Sequence, residues 1–332
     1  MTGNDFVFYK NGQATVFGFG SRTDNLRMRP KSAAAAAGTH SGGNSTDRVQ
    51  RSFIQKMKNL SFFKMCGSGN DFIIIDNRNH VVEEPDLPAF IAAVCRRKMS
   101  VGADGFILIE DSDTVDFKWR FYNSDGSIGE MCGNGARCAA RFAYVTGIAG
   151  KNMKFETLAG VIAARIIKDR VKIRMTDPAM ARLDQSLEID GGTVVFNSIN
   201  TGVPHVVTAV EDADKTDVVR LGRLIRRHPV FEPEGTNVNF ISSREPGTYE
   251  IRTYERGVED ETLACGTGAV AGALIMAIKS RATSPVKIIT RSKCCLTVYF
   301  KEKNDIFYDV FLEGDARIIS TGELGQDACL IR

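Results

Sequence analysis

Two short segments of this 332-residue chain carry the residue types best suited to chemistry. They are Met131-Cys132-Gly133-Asn134-Gly135-Ala136 and Ala264-Cys265-Gly266-Thr267-Gly268-Ala269. Each sets a cysteine directly before Gly-x-Gly-Ala and a run of small apolar residues, and the two cysteines are 133 positions apart. Upstream, Arg120-Phe121-Tyr122 answers Arg252-Thr253-Tyr254 at almost the same spacing. A repeat of this length predicts two similar half-domains, each presenting a thiol at the same structural point. Two thiols that face one carbon from opposite sides suit the removal of a proton from one face and its return to the other.

The glycines say where such a thiol would sit. The first turn of a helix leaves backbone N–H groups without intrahelical partners and carries about half a positive charge. Glycine lets a ligand approach that backbone closely. A cysteine there is expected to have its thiol pKa lowered from about 8.5, and the same N–H groups can hold a carboxylate. For one copy, a helix start packed tightly against a neighbour explains Gly-x-Gly equally well. Packing alone does not require cysteine at the same point twice, and neither copy extends to the dinucleotide-binding pattern G-x-G-x-x-G.

The elements that must position these thiols follow from periodicity. Strands are predicted at Phe72 to Asp76, Gly105 to Ile109, Phe117 to Tyr122, Val161 to Ile167 and Val171 to Met175, with a helix at Leu87 to Arg97. Gly133 to Thr146 reads as a helix that is apolar on most sides and hence buried. The plan then repeats, with strands from about 187, a helix near Val218 to Arg227, strands at Val238 to Ile241 and Glu250 to Tyr254, and a second buried helix, Gly266 to Lys279. Strands at Val286 to Thr290, Cys295 to Phe300 and Asp309 to Leu312 complete it. The expected class is α+β. Two pseudo-symmetric half-domains, residues 57–180 and 181–315, each wrap a mostly antiparallel sheet around a central apolar helix, with the site in the cleft between them. The segment 316–332 is expected to return to the first half-domain.

Residues 1–56 differ from the rest. Ser32 to Asn44 is mostly Ala, Gly and Ser and cannot bury enough apolar surface to fold alone. Phe6 to Tyr9 and Ala14 to Phe17 flank Asn11-Gly12 as a hairpin would. The segment reads as a flexible extension or a translation artefact, with Met57 as the start of the folded enzyme and an organelle transit peptide as the alternative. A formal net charge of +3 implies no nucleic-acid partner, and no apolar stretch is long enough to span a bilayer. Eight cysteines without short-range pairing point to reduced thiols and a cytoplasmic setting, and no zinc-type spacing occurs, so no metal is expected. Oligomeric state is left open, a homodimer being one option.

At these residues the chain resembles diaminopimelate epimerase, a cofactor-independent family of amino-acid racemases. The resemblance runs from about Asn59 to Ile319. It rests on Lys64-Met-Cys-Gly-Ser-Gly-Asn-Asp-Phe72, Val101-Gly-Ala-Asp-Gly105, Phe121-Tyr-Asn-Ser-Asp-Gly126, Glu130 to Cys138, Asn200-Thr-Gly-Val-Pro-His205, Glu234 to Phe240 and Tyr254 to Ala269. It implies interconversion of LL- and meso-diaminopimelate, without a cofactor, on the way to lysine and peptidoglycan. It also implies that Cys132 and Cys265 are the catalytic pair, one thiolate and one thiol. Gly133-Asn134 and Gly266-Thr267 would hold the α-carboxylate, Arg256 the distal carboxylate, Glu255 the distal ammonium, and Asn70, Asn123 and Asn237 would add neutral hydrogen bonds. Without the resemblance those three asparagines read as turn residues. Many family members carry histidine at Cys66, glutamine at Gly105 and asparagine at Val203, so these positions bear on substrate choice. Cys66 is a candidate pocket residue, whereas Cys95 and Cys138 read as core and His205 as structural. The rival readings are a racemase of another amino acid on the same fold and, in a different class, a binding protein regulated by oxidation of Cys132 and Cys265 to a disulfide.

Overall fold

The computed structural model describes residues 7–10, 13–16, 60–82 and 87–329, and the chain forms two compact units, residues 1–44 and 45–332. In the first, strands β1 (Val7–Lys10) and β2 (Gln13–Val16) pair antiparallel across Asn11-Gly12, the hairpin expected there. The rest of the expected 1–56 extension lies outside the described residues.

The second unit contains the repeat. Its first half runs β3 (Ser61–Gly67), β4 (Asn70–Asp76), α1 (Leu87–Cys95), β5 (Gly105–Glu110), β6 (Phe117–Asn123), β7 (Ile128–Gly129), α2 (Gly133–Val145), β8 (Asn152–Thr157), β9 (Gly160–Ile167) and β10 (Arg170–Arg174). The second half runs β11 (Arg182–Ile189), β12 (Gly192–Asn200), β13 (Pro204–Ala209), α3 (Val218–Arg226), β14 (Asn237–Glu245), β15 (Thr248–Glu255), β16 (Asp260–Thr262), α4 (Gly266–Ser280), β17 (Val286–Ile289), β18 (Cys295–Lys303) and β19 (Ile306–Asp315). A last strand, β20 (Arg317–Glu323), pairs with β3.

Strand pairing shows the duplication directly. The first half reads β20-β3-β4-β5-β6-β8-β9-β10 and the second β11-β12-β13-β14-β15-β17-β18-β19. In each, all steps are antiparallel except two, β4–β5 and β6–β8 in one and β13–β14 and β15–β17 in the other. A parallel step needs a crossover, and α1, α2, α3 and α4 occupy those four connections. The halves join where β10 pairs antiparallel with β19, from Arg170 opposite Asp315 to Arg174 opposite Phe311. The fold is therefore α+β with two pseudo-symmetric halves.

Helices α2 and α4 can be wrapped so closely because their sides are small. Ala136, Ala139, Ala140 and Ala143 are buried on α2, and Ala269, Ala271, Ala273 and Ala277 on α4. Both helices belong to one apolar core that runs through the two halves and includes Phe142, Ile173, Leu274 and Leu312. The other two helices cover the opposite sheet faces over smaller cores, α1 around Phe90 and Phe106 and α3 around Phe196 and Phe240. On α3 the buried residues Val218, Gly222 and Ile225 fall on one stripe, and Asp217 caps its start by accepting from the Arg220 N–H at 3.3 Å.

Gly222 marks the closest approach of α3. A methyl group there would lie 2.4 Å from Tyr254 Cβ, in the strand that leads to Glu255. Gly222→Ala is expected to cost about 1–3 kcal/mol by overpacking, more than the roughly 1 kcal/mol that alanine gains in a helix. Urea unfolding tests it, and an unchanged midpoint would contradict the packing.

Three strands escape a reading by pattern. In β8 the alternation is short, Met153 and Phe155 being buried between exposed Asn152 and Lys154, and β3 and β20 pair with each other largely exposed or half-exposed.

Candidate active site

Helices α2 and α4 begin alike. Cys132 and Cys265 are their N-cap residues, both extended, with φ −142°, ψ 116° and φ −115°, ψ 116°. The Cys132 thiol accepts from the Gly135 N–H at 3.5 Å, and the Cys265 sulfur lies 3.4 Å from the Thr267 hydroxyl. The two helix starts abut: a methyl group on Gly266 would lie 3.8 Å from Gly133 Cα and 3.1 Å from Leu312 Cδ2. Glycine at both points lets two sets of unpaired helical N–H groups converge.

A cavity of about 590 Å³ opens over this junction. All eleven residues singled out in the sequence border it: Cys132, Cys265, Asn70, Asn123, Gly133, Asn134, Asn237, Glu255, Arg256, Gly266 and Thr267. They come from both halves. Arg174, Glu130 and Thr201 also line it and were not anticipated. Thr201 donates to the Thr267 carbonyl at 3.1 Å and so pins the β12–β13 turn to the start of α4.

The asparagines are more committed to the protein than their expected role implies. Asn237 accepts from the Arg256 N–H at 2.9 Å and donates to the Pro204 carbonyl at 3.1 Å, which positions the strand end that carries Arg256. Asn134 is buried and donates to Asn70 Oδ1 at 2.6 Å and to the Ala264 carbonyl at 3.3 Å, so one amide reaches the backbone just before Cys265. Asn70 donates in turn to Asp104 at 3.2 Å. Asn123 is exposed and donates to Ser127 at 3.0 Å. Arg256 reaches the Glu234 carbonyl at 3.3 Å.

One residue of this network had a visible signal that was overlooked. Arg137, the fifth residue of α2, is 0 % exposed in a helix read as apolar. It donates to Ser68 Oγ at 2.8 Å, Asn134 Oδ1 at 2.9 Å, the Gly133 carbonyl at 3.2 Å and the Asp315 carbonyl at 3.2 Å. A charged side chain in a run of alanines was that signal.

Electrostatics correct the expectation of a depressed thiol pKa. Burial raises the Cys132 thiol, against the Gly135 amide and the Arg137 charge, and the nearby Glu255 carboxylate raises it further. Burial likewise raises Cys265, again helped by Glu255 and opposed by Thr267. The helix starts do not outweigh desolvation by the surrounding protein. Glu255 is itself raised by burial, an effect the neighbouring Thr262 hydroxyl opposes. A bound cation would favour the ionised form of all three groups.

His205 is 1 % exposed, and burial lowers its pKa to about 3 from 6.5, with Arg256 adding to the effect. Its Nδ1 lies 3.1 Å from Asn239 Nδ2, as suits a structural residue. Between those two pH values the unfolded chain holds a proton that the native chain does not, so stability falls as pH drops below 6.5. The expected share is about 1.4 kcal/mol per pH unit. His205→Gln should flatten acid unfolding by that amount, and an unchanged acid slope would contradict it.

The three departures separate here. A methyl group on Gly105 would lie 2.7 Å from Phe121 Cε2 and 3.1 Å from Phe72 Cδ1, so Phe121 fills the space a longer side chain would need. Val203 borders the cavity, whereas Cys66 does not and faces Asp71 and Arg317 in the ladder. Cys95 and Cys138 are core residues. Among the described residues no cluster of three His, Cys, Asp or Glu side chains could hold a metal ion, and no helix is long and apolar enough to cross a membrane.

Comparison with known proteins agrees with this geometry. The family described as Diaminopimelate epimerase matches residues 62–181 and 197–317. The chain is 47 % identical over 279 residues to the diaminopimelate epimerase of Aquifex aeolicus, covering 81 % of this chain and 99 % of that one. It is 45 % identical to the diaminopimelate epimerase of Hydrogenobaculum, covering 80 % and 98 %. Among solved structures, a PhzF-family phenazine biosynthesis protein from Bacillus anthracis superposes with a TM-score of 0.63 at 15 % identity, covering 81 % and 99 %. A probable proline racemase from Agrobacterium radiobacter gives 0.60 at 14 %, covering 79 % and 92 %, and these two establish the fold alone.

Proposed function

Since the chain belongs to the diaminopimelate epimerase family, we propose that it interconverts LL- and meso-diaminopimelate by a two-thiol mechanism. The observation that carries this reading is the junction itself. Two buried helices meet at Gly133 and Gly266, and each delivers a cysteine to the same cavity. In the reaction the α-carboxylate lies across the first-turn amides of both helices, where N–H groups and dipoles stabilise the negative charge that develops as the α-proton leaves. One thiolate takes that proton, and the electron pair stays on the α-carbon and its carboxylate. The opposite thiol delivers its own proton to the other face and becomes the thiolate.

The far end of the substrate explains Glu255 and Arg256. Arg256 offers a planar fork to the distal carboxylate, and Glu255 pairs with an ammonium. That ammonium also sets a cation against the buried Glu255 carboxyl, which favours its ionised form. A substrate with an apolar side chain would use neither group, which separates this reading from a racemase of another amino acid. Val203 provides no amide, and a bridging water can serve in its place. Free thiols are a requirement of the mechanism, and all eight cysteines are unpaired in the structure, which supports a reduced, cytoplasmic setting.

The test is conversion of LL-diaminopimelate to the meso isomer by the reduced protein, resolved by chiral chromatography beside L-lysine, which lacks the distal carboxylate. Turnover of diaminopimelate alone supports the assignment. Equal turnover of an amino acid without the distal groups would contradict it.

A further inference from the structure

The first turns behind the two thiols differ by a charge. Arg137 lies on α2, and the residue 133 positions on, at the same point of α4, is Val270. The guanidinium is fully buried, and among the described residues its four partners are neutral oxygens: Ser68 Oγ, Asn134 Oδ1 and two carbonyls. The carboxylate of Asp315 is joined to it only through Ser68. Its Oδ2 pairs with Arg317 Nε at 3.0 Å, and its Oδ1 accepts from Ser68 at 2.7 Å. A buried cation without a direct counter-ion is costly unless something in its surroundings becomes negative. The first turn of α2 holds such a group in Cys132.

Resting on the two-thiol reading, we propose that Arg137 makes the two thiols inequivalent, so that Cys132 is the first of the pair to ionise and Cys265 the one that stays a thiol. Arg137 is a positioning residue: it touches no substrate, and it acts through the first turn of α2. The hydrogen-bonding pattern agrees. Cys132 accepts a backbone N–H from Gly135 as an N-cap, whereas Cys265 makes no cap hydrogen bond and meets the Thr267 hydroxyl. Cys265 is also the more enclosed of the two, at 8 % exposure.

Other charges around the pair do not reverse the bias. Glu255, at the end of β15, raises both thiols. Cys138 shares α2 with Arg137, and its own thiol is raised by burial, which keeps it neutral. Asp315, on β19, acts on the Arg137 side of the helix but is offset by Arg317. Arg256, Arg174 and Glu130 face the cavity that both thiols share. α2 carries one further charge, Arg141 opposite Leu274 of α4, but it lies a turn farther from the thiols than Arg137 and reaches the Asp169 carbonyl. The same side chain holds Asn134, whose amide donates to the Ala264 carbonyl across the two halves, so the charge is tied to the spacing of the two helix starts.

The experiment is iodoacetamide labelling of the full reduced chain over a range of pH, with each cysteine quantified by peptide mass mapping. The pH midpoint is read for each site, since absolute rates also reflect access. In the unaltered protein Cys132 should label with a midpoint about one pH unit or more below that of Cys265, which is roughly tenfold more thiolate at a given pH. Arg137→Met should raise the Cys132 midpoint to that of Cys265 and leave Cys265 in place. Arg137→Lys keeps the charge and should preserve most of the gap. Equal midpoints in the unaltered protein, or a lower one at Cys265, would overturn the proposal even if Arg137→Met fails to fold. An unchanged gap in folded Arg137→Met would overturn it as well. Because labelling is read without turnover, failure here with epimerisation intact rejects only the role of Arg137.

Discussion

Cys132→Ala and Cys265→Ala should each lower epimerisation of LL-diaminopimelate by about 10³-fold or more. General acid–base groups contribute about 10²–10⁴-fold, and here removal of either leaves no second group on that face of the α-carbon. The loss has a signature that unfolding would not produce. Each variant keeps one thiol, which can take an α-proton from one face and return a solvent proton to the same face. Cys132→Ala should therefore exchange α-hydrogen with solvent in one stereoisomer without inversion, and Cys265→Ala should do so in the other. Both thiols border the cavity, so each change removes one sulfur at its edge and should leave the fold intact. Circular dichroism and the exchange pattern by mass spectrometry check both points. Either variant retaining a tenth or more of normal turnover would contradict the two-thiol account.

The second large effect belongs to Arg256. Replacing it with methionine removes a charged, two-pronged contact to the distal carboxylate, and hydrogen bonds to charged groups are worth about 1.5–3 kcal/mol each. Arg256→Met should lower kcat/KM for diaminopimelate by about 10²-fold, mainly through KM, because the contact lies far from the carbon that reacts. Arg256→Lys keeps the charge without the fork and should recover only part of the loss. Asn237→Ala should act in the same direction more weakly, since its oxygen holds the Arg256 N–H. Steady-state kinetics on the three variants decide it. A fall in kcat with KM unchanged would mean that Arg256 serves the chemical step and not distal recognition.

Much of the site was legible in the sequence because duplication and chemistry coincide there. The pairing of Cys132 with Cys265 at a constant spacing revealed the two halves, and Gly-x-Gly located the helix starts before any strand was placed. What was not legible is what tertiary packing decides. The thiols were expected to be depressed by the helix starts, yet burial among apolar side chains outweighs a few N–H groups. Asn237 was read as a group for substrate, whereas its side chain holds Pro204 and Arg256, and Asn134, expected to act through its backbone N–H, uses its side chain to tie Asn70 to Ala264. Arg137 stood in plain view in an alanine-rich helix. Only the position of Ser68, some seventy residues earlier, shows why a guanidinium can be buried there. Strand β20 pairs with β3 almost the whole length of the described unit away, a contact that local alternation does not encode.

The central claim, that two different thiols handle the two faces of one carbon, is tested most directly by isotope incorporation. The reduced full-length protein is incubated with LL-diaminopimelate in deuterated water, and substrate and product are separated at early times. A thiol carries a single exchangeable hydrogen, so the proton taken by one sulfur cannot be the one delivered by the other. The account predicts meso product carrying one deuterium at the inverted carbon while the remaining LL substrate is still unlabelled. Deuterium appearing in recovered substrate as fast as in product would place both transfers on one group and contradict it.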